Sequence, residues 1–333
     1  MVFLQLLAML VVILIAAEVF TNALEHLGEK LGISEGVTGS IFAAIGTALP
    51  ETMVPLLALL AGTANVHTNE EIGVGAILGA PLMLSTLSIC LMAVSVWKRR
   101  GTHGHLRPER TGLVRDLNFF ILAFLFAAMA LYVPHTLKIA RYGLGLCMVL
   151  IYFVYVMLTI RASKDLVEEG HATEAGNHMF LCKLGLPNNM VVIMVQLLLG
   201  LGLLLAGAKG FIDGVEVASQ ILGISALLLS LLIIPIATEL PEKVNSILWI
   251  RKGKDTLAFG NITGAMVFQG TLLPAIGIML TPWAPQREVV AGVVITLLGA
   301  AWMRYLMAKG GIRVWHMLIN GALYVTYLFI ALN

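Results

Sequence analysis

Two glutamates, Glu51 and Glu242, each stand directly behind a proline inside an apolar stretch of this chain. A lone carboxylate near the middle of a bilayer costs about 2.5–3.5 kcal/mol even on the lenient insertion scale. Two of them in so apolar a sequence need a task, and holding a cation is the chemistry that fits. Pro50 and Pro241 lack an N–H and crowd the preceding turn, so each helix should kink or unwind just before them. That leaves backbone carbonyls around Ala48 and Ala237 without partners. Thr47 and Thr238, one turn before the glutamates, add a hydroxyl each. Carbonyl, hydroxyl and carboxylate oxygens together form a cage suited to hard cations such as Na⁺ and Ca²⁺.

The arrangement occurs twice. Gly32-Ile33-Ser34, Ile45, Thr47, Leu49, Pro50 and Glu51 return as Gly223-Ile224-Ser225, Ile236, Thr238, Leu240, Pro241 and Glu242, offset by 191 residues throughout. Phe20, Glu25 and Leu31 match Phe211, Glu216 and Leu222 at the same offset. A repeated carboxylate beside a helix-breaking proline points to a transporter of two halves, with its ion site where the halves meet.

The elements that must carry these residues are membrane helices. The 333 residues are 59% hydrophobic and 12% charged, against roughly 25% charged in soluble domains. Spans need about 20 apolar residues each. Ten windows qualify, near 2–20, 36–61, 72–96, 117–134, 142–160, 189–209, 225–249, 256–280, 288–307 and 313–331. The expected fold is all-α, ten transmembrane helices in two five-helix repeats. Five is odd, so the second repeat enters from the opposite face and the repeats are inverted. Residues 1–160 form the first repeat, the polar stretch 161–187 a cytoplasmic linker, and 188–333 the second repeat. The apolar N-terminus lacks a basic leader region and a small-residue cleavage site, and reads as the first helix.

Charge supports this count. With loops assigned alternately, one side carries 16 Lys and Arg, from Lys30 through the 98–115 loop to Arg313. The other side carries 4, namely Lys138, Arg141, Lys209 and Arg287. The positive-inside rule then makes the first side cytoplasmic and puts both termini outside, in the plasma (inner) membrane. The basic 98–115 loop sets topology, with anionic headgroups as its neighbours. Nothing presents a basic face to nucleic acid.

Each Pro-Glu helix is followed by one bearing a Gly-x-x-x-Gly pair, Gly75 to Gly79 and Gly260 to Gly264. Such pairs let helices approach closely, and would press the third and eighth spans against the site. With these in view, Gly46-Thr47-Ala48-Leu49-Pro50-Glu51 and Ala237-Thr238-Glu239-Leu240-Pro241-Glu242, each followed by its glycine-rich helix, resemble the alpha repeats of the sodium/calcium exchanger family of cation/Ca²⁺ antiporters. The stretch from Ala206 to Ser225 resembles the helix preceding that family's second repeat. The resemblance implies a ten-helix antiporter in which Na⁺ and Ca²⁺ compete for one midplane site by alternating access. It carries the family's ligands onto Thr47, Glu51, Thr238 and Glu242.

The chain also departs from that pattern. Ala80 and Ala265 stand where the family has serines after the second glycine. Four residues further on, Leu84 replaces the usual amide or carboxylate, whereas Gln269 keeps an amide oxygen that would face Glu242. The serine of the Thr-Ser-Leu-Pro-Glu phrase is Ala48 in one copy and Glu239 in the other. Fewer neutral oxygens and one more carboxylate leave a cation/H⁺ exchanger of the same fold as an alternative. Glu239 and Lys243, at i and i+4, share a helix face in the orientation that favours pairing. Their pairing reads in two ways, as mutual neutralisation or as an extra carboxylate for the cation with Lys243 as a tethered competitor.

Other classes fit less well. An intramembrane hydrolase would need a nucleophile–base pair or a histidine metal motif within the spans, and His135 and His316 lie near span ends without such partners. Cys90, Cys147 and Cys182 are not in metal spacing. The reading is therefore of a non-enzymatic transporter with no cofactor, its partners being membrane lipids and the transported inorganic cations.

Overall fold

The computed structural model describes residues 2–30, 43–61, 65–167 and 178–332. Gly32–Ser34 of the first repeat, residues 168–177 of the linker and the side chains of Glu25, Thr47 and Pro50 lie outside the described set.

The described chain is helical almost throughout. The helices are α1 (Val2–Lys30), α2 (Ala43–Ala61), α3 (Val66–Met83), α4 (Ile89–Arg100), α5 (Arg110–Ala130), α6 (Lys138–Val167) and the short α7 (Phe180–Lys183). They continue as α8 (Met190–Leu222), α9 (Ala226–Thr238), α10 (Leu240–Arg251), α11 (Asp255–Leu280), α12 (Arg287–Lys309) and α13 (Val314–Leu332). A π-helical segment, Leu84–Ser88, joins α3 to α4. Among the described residues, eight helices are long and apolar enough to cross a membrane, and two shorter apolar helices run over Glu51–Leu60 and Ala226–Ile236. The first of these begins at Glu51, and the second ends five residues before Pro241.

Two compact units emerge, and each draws on both halves of the sequence. The first comprises residues 1–69 and 159–223, the second residues 70–158 and 224–333.

In the first unit, α1 and α8 run antiparallel at close range. A Cβ on Gly200 would stand 2.9 Å from the Phe20 backbone, and one on Gly207 would stand 3.1 Å from Val12 and Ile13. Gly210 likewise abuts Met9, and Gly214 abuts Leu6. Glycine at position 200 admits the neighbouring backbone where a side chain would hold it off, and the other three leave room for the side chains of Val12, Ile13, Met9 and Leu6. At one end Gln196 Nε2 donates to the Asn22 side chain at 2.9 Å and to the Val19 carbonyl at 3.1 Å. Asn22 Oδ1 and Gln196 Oε1 in turn accept from the backbone N–H groups of Phe180 and Leu181, which tethers α7. The outward residues of α1, among them Phe3, Leu4, Leu7 and Ile15, are apolar and exposed. That surface suits lipid and not water.

In the second unit, α3 meets α9 through Gly75 and Gly79. A Cβ on Gly75 would lie 2.6 Å from the Leu227 carbonyl oxygen, and one on Gly79 would collide with the Leu231 carbonyl. Leu231 is four residues before Pro235, which has no N–H to offer it; the glycine occupies the room beside that carbonyl. The first Gly-x-x-x-Gly pair thus acts as expected. The second does not: within this unit a Cβ on Gly260 would meet nothing within 4 Å, and one on Gly264 only the Tyr155 hydroxyl at 3.9 Å. The close approach of α11 to α5 is made instead at Gly270, against the Phe120 ring.

Polar caps fix the ends of α11. Asp255 accepts from Arg100 at 2.7 and 2.9 Å and from the Arg107 N–H at 2.8 Å. At the far end Arg141, only 3% exposed, donates to the carbonyls of Ile278, Thr281 and Pro282. Arg141 is thus a helix cap and not the loop charge its position suggests. The π-helical segment is held by Asn320, which donates to the Ser85 carbonyl at 2.7 Å and to the Gly299 carbonyl at 3.2 Å.

Candidate functional site

The second Pro-Glu segment breaks as its sequence requires. α9 ends at Thr238, Glu239 takes φ −91° and ψ 11°, and α10 begins at Leu240 with Pro241 in its first turn. Proline is tolerated there because first-turn N–H groups have no intrahelical acceptor. The same geometry sets Glu242 in the first turn of α10, where the positive end of the helix dipole favours a carboxylate. In the first copy α2 runs unbroken over Ala43–Ala61, through Pro50. A proline removes one ladder hydrogen bond, which a helix can absorb without ending, so the expected break is found at Pro241 and not at Pro50.

The break gathers polar side chains in an otherwise apolar setting. Glu239 is fully buried, Thr238 and Gln269 are 2% exposed, and Glu242 is 6% exposed. The Thr238 hydroxyl donates to the Ile234 carbonyl at 3.1 Å. Lys243 Nζ lies 3.3 Å from Glu239 Oε2, the pair anticipated from their spacing. It also donates to the Pro235 carbonyl at 2.8 Å and contacts Met83 Sδ at 2.9 Å. Gln269 and Glu242 both lie close enough to Glu239 to act on its charge. Gln269 is thus a neighbour of Glu239.

Asn261 was not singled out in the sequence, although it sits within the second glycine motif. Its Nδ2 donates to the Glu242 backbone carbonyl at 3.0 Å and to the Ser246 hydroxyl at 2.9 Å. It staples α11 to the first turn of α10 and so fixes the backbone that carries Glu242. An amide in a membrane helix that faces a proline break was the available signal.

Among the described residues, Oε1 of Glu239, Oε2 of Glu242 and Oε1 of Gln269 are buried and accept no hydrogen bond, while Oε2 of Glu239 has its ion pair with Lys243. Leaving a buried polar atom unmatched costs about 1–3 kcal/mol, more if charged. A dehydrated cation is the ligand such a set of oxygens accommodates.

Glu51 is 4% exposed on α2 of the first unit, one turn from Val54 and Pro55, both also buried. The sequence-predicted set therefore divides. Glu51 belongs to the first unit with Thr47, whose side chain is not described. Thr238, Glu239, Glu242, Lys243 and Gln269 belong to the second, where they cluster.

The family model for sodium/calcium exchanger proteins matches residues 1–161 and 192–333. The chain belongs to the sodium/calcium exchanger family. As a member it is an integral, multi-pass membrane protein, and the family's proteins are transporters, not enzymes. One relative is the inner membrane protein YrbG of Escherichia coli (strain K12), 24% identical over 276 residues, covering 82% of this chain and 78% of YrbG. Among solved structures, the H⁺/Ca²⁺ exchanger CAX superposes with a TM-score of 0.70 at 19% identity, covering 98% of this chain and 82% of CAX. The sodium-calcium exchanger NCX_Mj, soaked with Na⁺ and Sr²⁺, superposes at 0.58 with 20% identity, covering 99% of each chain. At such identities the exchanger likeness is one of fold. It spans nearly the whole chain, so the exchanger architecture applies to both halves.

Proposed function

We propose that this protein is a secondary active antiporter exchanging Ca²⁺ for Na⁺ by alternating access. The observation that carries the reading is the buried group of unmatched carboxylate and amide oxygens at the Pro241 break, repeated in sequence by Pro50 and Glu51. In this reading the eight long helices, with the two shorter apolar helices at Glu51 and before Pro241, make the ten spans of an inverted repeat. Both termini lie outside and the chain resides in the inner membrane. Glu51 and Glu242 meet near the midplane and hold the cation jointly, with Thr47, Thr238, Glu239 and Gln269 as further oxygen ligands.

No covalent step or resident cofactor is required. The carboxylates are expensive to move through hydrocarbon while charged. A bound cation neutralises them, so the loaded site can change the face it opens to while the bare site is held back. That difference obliges one ion to cross for another.

A second reading, cation/H⁺ exchange, is favoured by the side-chain oxygens missing at Ala80, Leu84 and Ala265. With fewer neutral ligands, a carboxylate proton can take the place of Na⁺ as the returning charge.

The test is Ca²⁺ flux in proteoliposomes. Glu51→Gln should abolish exchange in protein that still folds, and retained exchange would overturn the shared site. Imposing a Na⁺ gradient at fixed pH, then a pH gradient at fixed Na⁺, separates the two readings by which gradient drives Ca²⁺ uptake.

A further inference from the structure

A further buried carboxylate lies away from the Pro241 break. Asp116, in the second turn of α5, is 5% exposed. Its Oδ2 accepts from the Thr263 hydroxyl at 2.7 Å and its Oδ1 from the Tyr155 hydroxyl at 3.1 Å. Arg115 Nε stands 3.8 Å from Oδ1, beyond hydrogen-bond range, so the two hydroxyls make the directional contacts. The three groups come from α5, α6 and α11, and one side chain thereby ties three helices of the second unit.

Thr263 shares α11 with two residues at the break. Asn261 donates to the Glu242 carbonyl at 3.0 Å, and Gln269 is a neighbour of Glu239. At about 100° per residue, Asn261 and Gln269 project within about 80° of each other, and Thr263 projects about 120–160° away from both. Thr263 thus holds the back of the helix whose front meets the site. The close approach of α11 to α5, Gly270 against the Phe120 ring, is apolar. Apolar burial has no direction, and by itself it leaves the rotation of α11 about its axis unfixed. A hydrogen bond to a carboxylate is strong and directional. A rotation that swung Asn261 and Gln269 off the site would break it. We propose that Asp116 is a positioning residue for the cation site: through Thr263 it fixes the rotation of α11, and with it where Asn261 and Gln269 stand. The inference rests on the antiport reading above. In it Asp116 holds no ion and acts only through α11.

The experiment is Ca²⁺ uptake into proteoliposomes by purified full-length protein, with the half-saturating Ca²⁺ concentration and the maximal rate per folded transporter measured separately. Thr263→Val removes the hydroxyl at nearly constant shape. It should raise half-saturation by at least about threefold, short of the roughly tenfold or more of a group that orients a metal ligand directly, with a smaller change in maximal rate. Asp116→Ala should do the same. Asp116→Asn should restore the wild-type value. Its amide can accept from Tyr155 and donate to Thr263, while Thr263 donates to the Phe259 carbonyl at 3.0 Å. Asp116→Ala with Thr263→Val should be no worse than Asp116→Ala alone, since losses at the two ends of one contact do not add. A tie that is only structural would lower the thermal midpoint and the yield of folded protein, and leave half-saturation where it was. That result in Thr263→Val overturns the proposal. Asp116→Asn as impaired as Asp116→Ala overturns it equally, because the hydrogen bonds would then not be what matters. If Asp116→Ala does not fold, Thr263→Val and Asp116→Asn decide by the same criteria. Folded wild type that takes up no Ca²⁺ under a Na⁺ or a pH gradient would bring down the antiport reading and this inference together. Wild-type uptake with half-saturation unmoved in Thr263→Val brings down the inference alone.

Discussion

Gly79 meets Leu231 backbone to backbone: a Cβ added at Gly79 would run into the Leu231 carbonyl and stand 2.7 Å from the Pro235 ring. Neither obstacle is the end of a flexible side chain. Gly79→Ala should therefore destabilise the protein by about 1–3 kcal/mol, the usual range for overpacking. It should lower the thermal midpoint in detergent. Gly260→Ala is the matched control. Its Cβ meets nothing within 4 Å in its unit, and alanine gains up to about 1 kcal/mol of helix propensity, so its midpoint should hold or rise. Equal losses in the two variants would show that the close approach at Gly79 does not bear on stability.

Asn261 holds the backbone that carries Glu242. Asn261→Ala removes the donors to the Glu242 carbonyl and to Ser246, leaving a polar group unmatched at about 1–3 kcal/mol. Glu242 should then be less well positioned. The half-saturating Ca²⁺ concentration for vesicle uptake should rise about 3–10-fold, since 1.4 kcal/mol corresponds to tenfold, with a smaller change in maximal rate. A fall in maximal rate at constant half-saturation would argue against a positioning role.

Glu109 gives the start of α5 a pH dependence. Burial raises its carboxyl pKa, but the N–H groups of Gly112 and Thr111 donate to it and hold it below its ordinary value of 4.5. A carboxylate with a depressed folded pKa stabilises above its unfolded value and loses that contribution as pH falls through the folded one. The thermal midpoint should therefore decline on acidification below about pH 4.5, and Glu109→Ala should show less of this decline. The same slope in both would assign the acid sensitivity to other carboxylates.

Much of this was legible in the residues. The apolar windows marked the helices, the Pro-Glu repeat marked the carboxylates, and the i, i+4 spacing of Glu239 and Lys243 marked their ion pair. These signals are local, set by composition, by proline chemistry and by the helical period. What stayed hidden depends on which helix lies opposite. Met83 and the Pro235 carbonyl as partners of Lys243 follow from α3 meeting α9, and no spacing rule reports that. Asp116 went unremarked near the start of a span, yet it is buried and accepts from Thr263 at 2.7 Å and Tyr155 at 3.1 Å. The second Gly-x-x-x-Gly pair carried the same signature as the first and packs differently, because the motif permits an approach and does not compel one.

The interleaving of the two compact units has a consequence for biosynthesis. α1 leaves the ribosome complete at Lys30, but the helix whose glycines receive it begins at Met190. At ordinary elongation of about 5–20 residues per second, α1 waits roughly 10–30 s for that partner. Through that interval its unclaimed face must be sheltered by acyl chains or by the insertion machinery. A truncation ending before Met190 should accordingly leave the α8-facing surface of α1 uncovered and exposed to quality-control proteolysis, however well the helix itself inserts.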